Sequence, residues 1–418
     1  MKTIVVNDKD QTKIPFLRGI LVRSLLDAGL EFDDAHSLAT ELREELDDTE
    51  EISASEVRER ISALLESRGH LGAVDPYGLP LTSTMRIEVN SRKGNKSAFS
   101  RSRHERFLQA SGMKAEKAEQ VTDAIYERLL VDGVTTVTTR QLGYVTYLYL
   151  RQEVSKKMAR RFLIWSEYRQ SSRSLMLLIC GAVGSGKSTV ATEVAHVLDI
   201  VRIQSTDMLR EVMRMMIPDR LLPMLHTSSF EAWKALPIRD ARERDPDQLV
   251  ADGFRSQSDL LAVACEAVLQ RAFEESVPVI LEGVHAHPEL LERLPDDPRP
   301  IAVHTTLAVL KAKELKSRLK GRGKEVPARR AKRYLNKFDA IWSLQSFLLS
   351  EADRYDAAII TNHDKEKAVQ QVILQVIVEL SKHFDSSPRE VFGAVVDRVG
   401  GEAVDDSWQQ AVTRLATE

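Results

Sequence analysis

The chain has 418 residues, of which 43% are hydrophobic and 29% are charged, and its formal net charge at pH 7 is −3. This length favours two to four domains over a single core, and the near-neutral charge excludes a general attraction to nucleic acid or anionic membranes. No segment approaches the roughly 18 apolar residues of a membrane span, and the N-terminus lacks an apolar leader. The two cysteines, Cys180 and Cys265, lie in apolar segments, so we expect buried thiols in a cytoplasmic protein.

The first 70 residues predict one small domain built from a short strand and three helices. The strand covers residues 3–6, and Ser53-x-x-Glu56 resembles a capping box at the start of the third helix. Glycine and proline residues across 69–83 predict a linker. The three helical patterns cover residues 17–28, 32–46 and 53–67.

The segment after the linker repeats the first domain. Residues 87–90 align with residues 4–7. After a two-residue insertion, Val137-Thr138 aligns with Ile52-Ser53. Two copies of one small domain are therefore predicted, at 1–70 and 84–168. The other matching pairs are Phe16 with Phe99, Arg18 with Arg101, Leu25 with Leu108, Gly29 with Gly112 and Ala35 with Ala118.

The repeated pattern looks like the ATP-cone module, a strand followed by a helical bundle. Such modules usually hold phosphates with a basic pair and a glycine in the first turn. The first copy has Asn7-Asp8-Lys9-Asp10 there, whose two acids would repel phosphate. The second copy has Arg92, Lys93 and Gly94, so Arg92 and Lys93 are the candidate regulatory nucleotide ligands. A docking or structural module, or a homo-oligomer contact, is the alternative. The resemblance is carried by Val5-Val6, Ile14-Pro15-Phe16, Arg18, Ala28-Gly29 and Ile52-Ser53.

Residues 141–170 predict a long helical stretch in which aromatic and basic side chains alternate. Such interleaving can indicate binding to single-stranded nucleic acid. We favour an amphipathic helix with its cationic face in water. The aromatic and apolar members are Tyr144, Tyr147, Leu148, Tyr149, Phe162, Leu163 and Trp165, and the basic members are Arg151, Lys156, Lys157, Arg160 and Arg161.

The most specific motif follows the apolar run 175–180, which suits a strand buried on both faces. Gly181-Ala182-Val183-Gly184-Ser185-Gly186-Lys187-Ser188 matches the phosphate loop G-x-x-x-x-G-K-[ST], and Thr189 continues into a helix over 187–198. The loop amides and Lys187 are suited to nucleotide phosphates, and the Ser188 hydroxyl is suited to Mg²⁺. These residues predict a nucleoside triphosphate site.

Strands and helices alternate from Leu175 onward, which predicts an α/β domain over 172–384. Five parallel strands with short connections are the size of a small-molecule P-loop kinase. Residues 385–418 are predicted to be a loosely attached polar tail. After 175–180, the predicted strands cover 200–204, 277–281, 301–307 and 357–360, and the predicted helices cover 187–198, 207–216, 255–275, 308–320, 328–352 and 364–383.

Acidic residues follow two of these strands, where open parallel sheets bind ligands. Asp207 ends Ser205-Thr206-Asp207, and Glu282 follows an apolar strand. Either carboxylate could hold Mg²⁺ or accept a proton from a substrate hydroxyl. Asp207 could also be a helix N-cap. His285 and His287 lack a convincing set of partners, so no metal site is predicted from them.

A basic segment follows the fourth strand. Residues 311–337 contain twelve Lys or Arg residues and two acidic residues, arranged as two helices around a hinge. Mobile arginines over transferring phosphates stabilise charge and exclude water, so we favour a lid over a solvated basic face or a nucleic-acid patch. The lid candidates are Arg318, Arg322, Arg329, Arg330 and Arg333.

The residues 205–214, 221–236, 253–257 and 279–285 together are similar to the 2-phosphoglycerate kinase family. The resemblance reaches to about residue 383, since that family also carries an ATP-cone-like N-terminal segment. It implies ATP-dependent phosphorylation of the 3-hydroxyl of 2-phosphoglycerate. Plant relatives tied to inositol-phosphate metabolism share the kinase motifs, so an inositol phosphate is an alternative acceptor.

The resulting hypothesis is a P-loop kinase that uses ATP and Mg²⁺ on a small phosphorylated acceptor. Lys187 binds the transferred phosphate, Ser188 and Glu282 hold Mg²⁺, and Asp207 orients or deprotonates the acceptor hydroxyl. Arg210, one helical turn after Asp207, would clamp the acceptor's charge, and Arg322 and Arg329 would close from the lid. The alternatives are a nucleotide-sensing protein without turnover and a polynucleotide-end kinase.

Overall fold

A computed structural model describes the chain in two compact units. Unit 1 comprises residues 1–108, 115–163 and 386–418, and unit 2 comprises residues 109–114 and 164–385. The described residues are 3–6, 13–27, 30–46, 49–70, 87–91, 94–237, 243–294, 297, 299–325, 329–399 and 407–417.

Unit 1 begins with a small sheet covered by three helices. Leu25, Leu42 and Leu65 are fully buried in its core. The Ser53 hydroxyl accepts a hydrogen bond from the Glu56 amide at 3.1 Å and caps the third helix, which is one half of the predicted capping box. The Glu56 carboxylate pairs with Arg60 at 2.8 Å. The predicted linker lies mostly in residues 71–86, outside the described residues. The elements are β1 (Ile4–Val6), β2 (Lys13–Pro15), α1 (Arg18–Asp27), α2 (Phe32–Glu45), β3 (Glu51–Ser53) and α3 (Ala54–Ser67).

The second segment of unit 1 repeats the topology of the first. In each sheet the first strand is antiparallel to the second and parallel to the third. Val5 lies opposite Ile52, and Val89 lies opposite Val137. The elements are β4 (Glu88–Asn90), β5 (Lys96–Ala98), α4 (Arg101–Ala110), α5 (Ala115–Val131), β6 (Thr136–Thr138) and α6 (Thr139–Tyr149), with α4 ending in unit 2.

The strand register corrects one detail of the predicted repeat. Val89 occupies the place of Val5, so the alignment of residues 87–90 with residues 4–7 is wrong by one position. The connection between β4 and β5 is one residue shorter than that between β1 and β2, and this restores the match of Phe99 to Phe16. The other strands of each copy, only three residues long, were not predicted because they are too short to show a period.

The predicted long helix over 141–170 is divided in two. A π-helical turn at Leu150–Val154 follows α6, and Ser155 has extended backbone before α7 (Lys156–Tyr168). Tyr144 and Phe162 are buried, whereas Lys156 and Lys157 are exposed. The favoured interpretation, an amphipathic helix with its cationic face in water, is therefore confirmed for Lys156 and Lys157, whereas Arg151, Arg160 and Arg161 are half-buried.

The prediction of a loosely attached tail over 385–418 is wrong for most of its described residues. Phe392 is buried and lies 5.9 Å from Tyr144 between ring centroids, and Trp408 packs edge-on against Tyr149 at 4.8 Å. A few large aromatic side chains attach this polar segment, which composition alone does not reveal. The helices are α16 (Pro388–Phe392), α17 (Val395–Val399) and α18 (Trp408–Thr417), in unit 1.

Unit 2 is organised around a five-stranded parallel sheet with the order β11-β10-β7-β9-β8. Every residue of the central strand β7 is buried, as a continuous apolar run predicts. The described residues contain no helix that is long and apolar enough to cross a membrane. The strands are β7 (Leu175–Cys180), β8 (Arg202–Ser205), β9 (Val279–Glu282), β10 (Ile301–Ala308) and β11 (Ala358–Thr361).

The helices of unit 2 depart from prediction at three places. The helix predicted over 308–320 covers Ala312–Glu325, because the preceding strand continues to Ala308. Helix α11 begins at Pro246 instead of 255, after Asp245, whose side chain accepts from the Asp247 amide; this Asp-Pro start signal lies in the sequence. The helix predicted over 328–352 is two helices that meet at residues 336–337. The helices are α8 (Lys187–Leu198), α9 (Thr206–Met216), α10 (Pro223–His226), α11 (Pro246–Glu274), α12 (Ala312–Glu325), α13 (Arg329–Leu335), α14 (Phe338–Arg354) and α15 (Lys365–Leu380), with 3₁₀ turns at Ser229–Ala235 and Pro288–Leu291.

Candidate active site

The phosphate loop occupies the turn between β7 and α8. Gly181 has φ 149°, and a Cβ atom there would lie 2.5 Å from the Leu307 carbonyl oxygen. Gly186 has φ 88°, and a Cβ atom there would collide with the Asn362 amide nitrogen. Both positions therefore require glycine, and the loop is held tightly between β10 and the end of β11.

Lys187 and Ser188 begin α8 directly below this loop. The Lys187 side chain is mostly buried, and its Nζ donates to the Ala182 carbonyl at 3.2 Å, so the ammonium lies inside the loop. The Ser188 Oγ donates to Glu282 Oε1 at 3.1 Å. Glu282 ends β9 and is 6% exposed.

Ser188 and Glu282 form a pair of hard oxygen donors beside the phosphate loop, which is the chemistry that Mg²⁺ prefers. Within the described ranges, no group of three or more His, Cys, Asp or Glu residues could hold a metal ion. A cation here would therefore rely on these two side chains and on phosphate oxygens. The His287 Nε2 lies 3.5 Å from a carboxylate oxygen of Glu351.

Asp207 and Arg210 lie at the neighbouring strand end, on α9. Ser205 is the N-cap residue of this helix, so the N-cap interpretation of Asp207 is wrong. The Asp207 carboxylate is 63% exposed and lies 3.9 Å from the Arg210 guanidinium. The Arg210 Nη1 donates to the Thr227 carbonyl at 2.5 Å. An exposed carboxylate and an anchored guanidinium therefore share one end of the sheet.

A cavity of about 500 Å³ adjoins Arg210. Three of its lining side chains are arginines, Arg210, Arg214 and Arg333, and one acidic residue, Glu211, is also present. Arg333 comes from α13 of the basic segment, and its Nη2 donates to Ser228 Oγ at 3.2 Å. This composition suits a small anion with more than one charged group.

The basic segment forms two helices, α12 and α13, as predicted, although the second ends at Leu335. The Arg318 Nη2 donates to Glu314 at 2.7 Å and to the Asn362 carbonyl. The side chains of Arg322, Arg329 and Arg330 lie outside the described part of the structure. Of the five lid candidates, the described side chains thus place Arg318 beside the phosphate loop and Arg333 at the cavity.

Asn362 is a site residue that sequence reasoning missed. It is 4% exposed, follows β11, and its Nδ2 donates to the Ser185 carbonyl of the phosphate loop at 2.8 Å. The rule that ligands bind at the carboxyl ends of parallel strands points to this position as well. Arg214 was likewise given no role, because a single arginine on a helix carries no specific signal.

Behind Arg210 lies a buried hydrogen-bonded chain that the sequence did not reveal. The His285 imidazole stacks on Phe254 with 5.4 Å between centroids, and its Nε2 lies 2.9 Å from Gln257 Oε1. The Gln257 Nε2 donates to the carbonyls of Met224 at 2.6 Å and Thr227 at 3.2 Å. Burial lowers the pKa of His285 to about 3, so its imidazole is neutral at physiological pH.

The candidate nucleotide ligands of the second repeat, Arg92 and Lys93, lie outside the described residues. Gly94, the next residue in the sequence, has φ 78°, which glycine adopts easily. The equivalent arginines of the two copies both form ion pairs with α5, Arg18 with Glu127 and Arg101 with Asp123, each at 2.7 Å. These two arginines therefore serve packing in the described structure.

A central strand that runs into a glycine-rich phosphate loop and a helix, within a five-stranded parallel sheet, defines an α/β protein of the P-loop kinase type. Proteins named 2-phosphoglycerate kinase from three organisms resemble the chain. The protein from Methanopyrus kandleri is 33% identical over 298 residues, which cover 71% of this chain and 89% of its own. That from Pyrococcus furiosus is 33% identical over 300 residues, covering 71% and 96%.

The protein from Thermococcus kodakarensis is 31% identical over 298 residues, covering 71% of this chain and 99% of its own. No family model matches the chain. The chain belongs to the 2-phosphoglycerate kinase family. In each of these three alignments the matched part is a smaller share of this chain than of the relative. This chain is therefore longer than all three relatives.

Proposed function

We propose that this chain is an ATP-dependent kinase that phosphorylates the free hydroxyl of 2-phosphoglycerate and forms 2,3-bisphosphoglycerate. The observation that carries the proposal is the combination, in one unit, of the phosphate loop with the arginine-lined cavity beside Arg210. The names of the relatives support the same acceptor. A phosphoglycerate carries a phosphate and a carboxylate, and three arginines suit that charge.

The donor side depends on the phosphate loop. The loop amides and Lys187 would bind the β- and γ-phosphates, and Arg318 lies close enough to the loop to add positive charge. Ser188 and Glu282 would hold Mg²⁺, which supplies charge to the phosphates when it is bound. Arg322 and Arg329 would close over the phosphates from the lid.

The acceptor side depends on Asp207 and Arg210. The acceptor hydroxyl oxygen bonds to the γ-phosphorus of ATP, the bond from that phosphorus to the bridging oxygen breaks, and the hydroxyl proton passes to Asp207. Arg210, Arg214 and Arg333 would hold the acceptor's anionic groups. A loose phosphoryl-transfer transition state needs positioning and charge stabilisation more than a strong base, and an exposed carboxylate suffices for that role.

The test is an ATP-consumption screen of the purified chain against phosphoglycerates, sugar phosphates and inositol phosphates. We expect turnover with 2-phosphoglycerate and a bisphosphorylated product by mass spectrometry. Asp207→Asn should lower kcat by roughly 10²-fold or more with little change in ATP affinity. Asp259→Asn is the matched control, because Asp259 is exposed and contacts only Arg293 among its recorded ion pairs.

Three outcomes would contradict parts of the proposal. Turnover of an inositol phosphate with no turnover of 2-phosphoglycerate would show that the acceptor is an inositol phosphate. ATP binding without turnover of any acceptor would favour a nucleotide-sensing protein. An Asp207→Asn chain that loses ATP affinity and keeps kcat would make Asp207 a nucleotide or metal residue.

A further inference from the structure

Two buried polar atoms beside the arginine-lined cavity have no hydrogen-bond partner among the described residues. They are His285 Nδ1 and Arg210 Nε. A buried polar atom without a partner costs stability, so a pair of them near a site calls for a functional explanation. Arg210 Nε is always a donor. The role of His285 Nδ1 depends on which imidazole nitrogen carries the proton.

The surroundings of His285 determine that tautomer. The Gln257 Nε2 faces two carbonyl oxygens, those of Met224 and Thr227, so the amide orientation is set and Oε1 faces His285. An amide oxygen only accepts, and therefore His285 Nε2 must donate. Because the imidazole is neutral, its Nδ1 then carries a lone pair and can only accept.

The two atoms thus have complementary roles, one donor and one acceptor, and a common anchor. The Thr227 carbonyl accepts from Arg210 Nη1 at 2.5 Å and from Gln257 Nε2 at 3.2 Å. Burial is the main cause of the lowered pKa of His285; the charge of Asp207 opposes it and the charge of Arg210 adds to it. Stacking on Phe254 fixes the plane of the imidazole.

We propose that His285 is a positioning residue for the acceptor: its Nδ1 accepts a hydrogen bond from Arg210 Nε when an anion fills the cavity. Engaging Nε in this way directs the two Nη groups of Arg210 together at the anion, which is the bidentate geometry that phosphate and carboxylate groups favour. The inference rests on the proposed function in taking the acceptor as that anion.

The experiment compares two substitutions that separate the nitrogens of His285. In His285→Gln the side-chain amide can take the place of Nε2 and still donate to Gln257, but the Nδ1 acceptor is lost. In His285→Asn the side-chain oxygen can take the place of Nδ1, and the contact with Gln257 is lost. We expect His285→Gln to raise the acceptor KM by roughly 5- to 30-fold and leave the ATP KM unchanged. His285→Asn should stay closer to wild type in acceptor KM.

His304→Gln is the matched control. His304 is also buried, its Nε2 donates to the Ala286 carbonyl at 2.8 Å, and its Nδ1 lacks a partner among the described residues. It lines a different cavity, of about 270 Å³. A purely structural role of His285 predicts equal losses in the two glutamine variants. The proposal predicts a similar change in melting temperature and an acceptor KM that rises only for His285→Gln.

Arg210→Lys provides the second measurement, because lysine has no Nε–H at that place. In the Arg210→Lys background, adding His285→Gln should change the acceptor KM by less than about twofold. A further loss of the size seen in wild type would overturn the proposal, as would an unchanged acceptor KM in His285→Gln alone.

Binding of inorganic phosphate, measured by calorimetry on the full chain with a non-hydrolysable ATP analogue filling the phosphate loop, separates this inference from the proposed function. If wild type turns over no acceptor, the proposed function fails. The positioning role still predicts that wild type binds phosphate and that His285→Gln binds it roughly 5- to 30-fold more weakly. Absence of phosphate binding by wild type, or equal binding by the variant, overturns the positioning role.

Discussion

Two buried histidines, one in each unit, show how the units differ. In unit 1, His104 Nδ1 lies 2.8 Å from Thr122 Oγ1 and its Nε2 lies 3.0 Å from Thr146 Oγ1. In unit 2, His285 has one partner, Gln257, and an unpaired Nδ1. A fully paired buried imidazole contributes stability and specifies packing, whereas a half-paired one keeps a polar atom available for a ligand or a moving side chain.

The same difference extends to other groups. At the site end of unit 2, Ser185 Oγ and Thr206 Oγ1 are also buried without a partner. The described part of unit 1 has two such atoms, Arg58 Nε and Asn90 Oδ1. Asn90 ends β4 and lies two residues before Arg92 in the sequence. Unpaired polar atoms therefore occur at the site end of unit 2, although His304 Nδ1 shows that they also occur away from it. Asn90 is the place in unit 1 where the comparison could fail.

The largest expected effect tests the chemistry assigned to unit 2. Lys187→Ala removes the ammonium inside the phosphate loop, and we expect kcat to fall by roughly 10²-fold or more, because that charge stabilises the transferring phosphoryl group. Steady-state kinetics of the purified variant measure this fall in kcat. Lys365→Ala, at an exposed lysine paired with Glu193 in the same unit, is the control and should stay near the wild-type rate. A Lys187→Ala chain that keeps a tenth of the wild-type rate contradicts the assignment.

The next prediction could break the comparison, since it gives unit 1 a ligand. We propose that the second repeat binds an adenine nucleotide through Arg92 and Lys93. A Lys187→Ala chain should then still bind one nucleotide per chain by calorimetry. Adding Arg92→Ala and Lys93→Ala should weaken that binding at least about tenfold, because two charge-assisted contacts are worth roughly 1.5–3 kcal/mol each.

Lys9→Ala, in the acidic turn of the first copy, is the control for this binding and should change nothing. Nucleotide binding to unit 1 should also shift the acceptor affinity or the assembly state, since an effector acts only through different affinities for two states. If the Lys187→Ala chain binds no nucleotide, the repeats are docking or assembly modules and the comparison stands.

The smallest expected effect is the pH dependence of the free energy of unfolding, which sharpens the comparison of the two units. Burial lowers the pKa of His104 and of His304 to about 4. Between pH 4 and 6.5 the unfolded chain binds a proton at each histidine and the folded chain does not, so acid favours unfolding. Protonation of each histidine in the unfolded chain should lower the free energy of unfolding by about 3 kcal/mol as the pH falls from 6.5 to 4.

Denaturant unfolding at several pH values, followed for each unit, measures this dependence. His104→Gln and His304→Gln should flatten it by similar amounts. At pH 7, His104→Gln should cost more stability, because it leaves a buried threonine hydroxyl unpaired where His304→Gln keeps its one hydrogen bond. Equal costs at pH 7 would show that the pairing of His104 contributes little.

Much of the donor side could be predicted from the sequence, because its signals are local. An apolar run, a glycine-rich loop and an amphipathic helix lie within residues 175–198, and each has a short-range physical cause. The strand ends also located Glu282 correctly beside Ser188. The boundaries of β8, β9 and β11 differ from prediction by at most two residues, since apolar strand patterns fade gradually at their ends.

The acceptor side could be predicted only in part. Arg210 was proposed from the sequence, but its cavity also takes Arg214, four residues later in α9, and Arg333 from α13, which is distant in sequence. The attachment of residues 387–399 and 408–417 to unit 1 was missed for the same reason, since it depends on where Phe392 and Trp408 land. The spacing of apolar residues within one segment does not indicate which distant segment that residue set will contact.

The sequence by itself determined that this chain has a phosphate loop after a buried strand, a repeated N-terminal fold, and acidic and basic residues at the strand ends, because glycine geometry, apolar periodicity and charge act over a few residues. Tertiary structure alone decided the tautomer of His285, the anchoring of Arg210 on Thr227 and the position of Asn362 against the loop. The physical reason is that hydrogen bonding and burial depend on which atoms meet in space, and those atoms come from segments that are far apart along the chain.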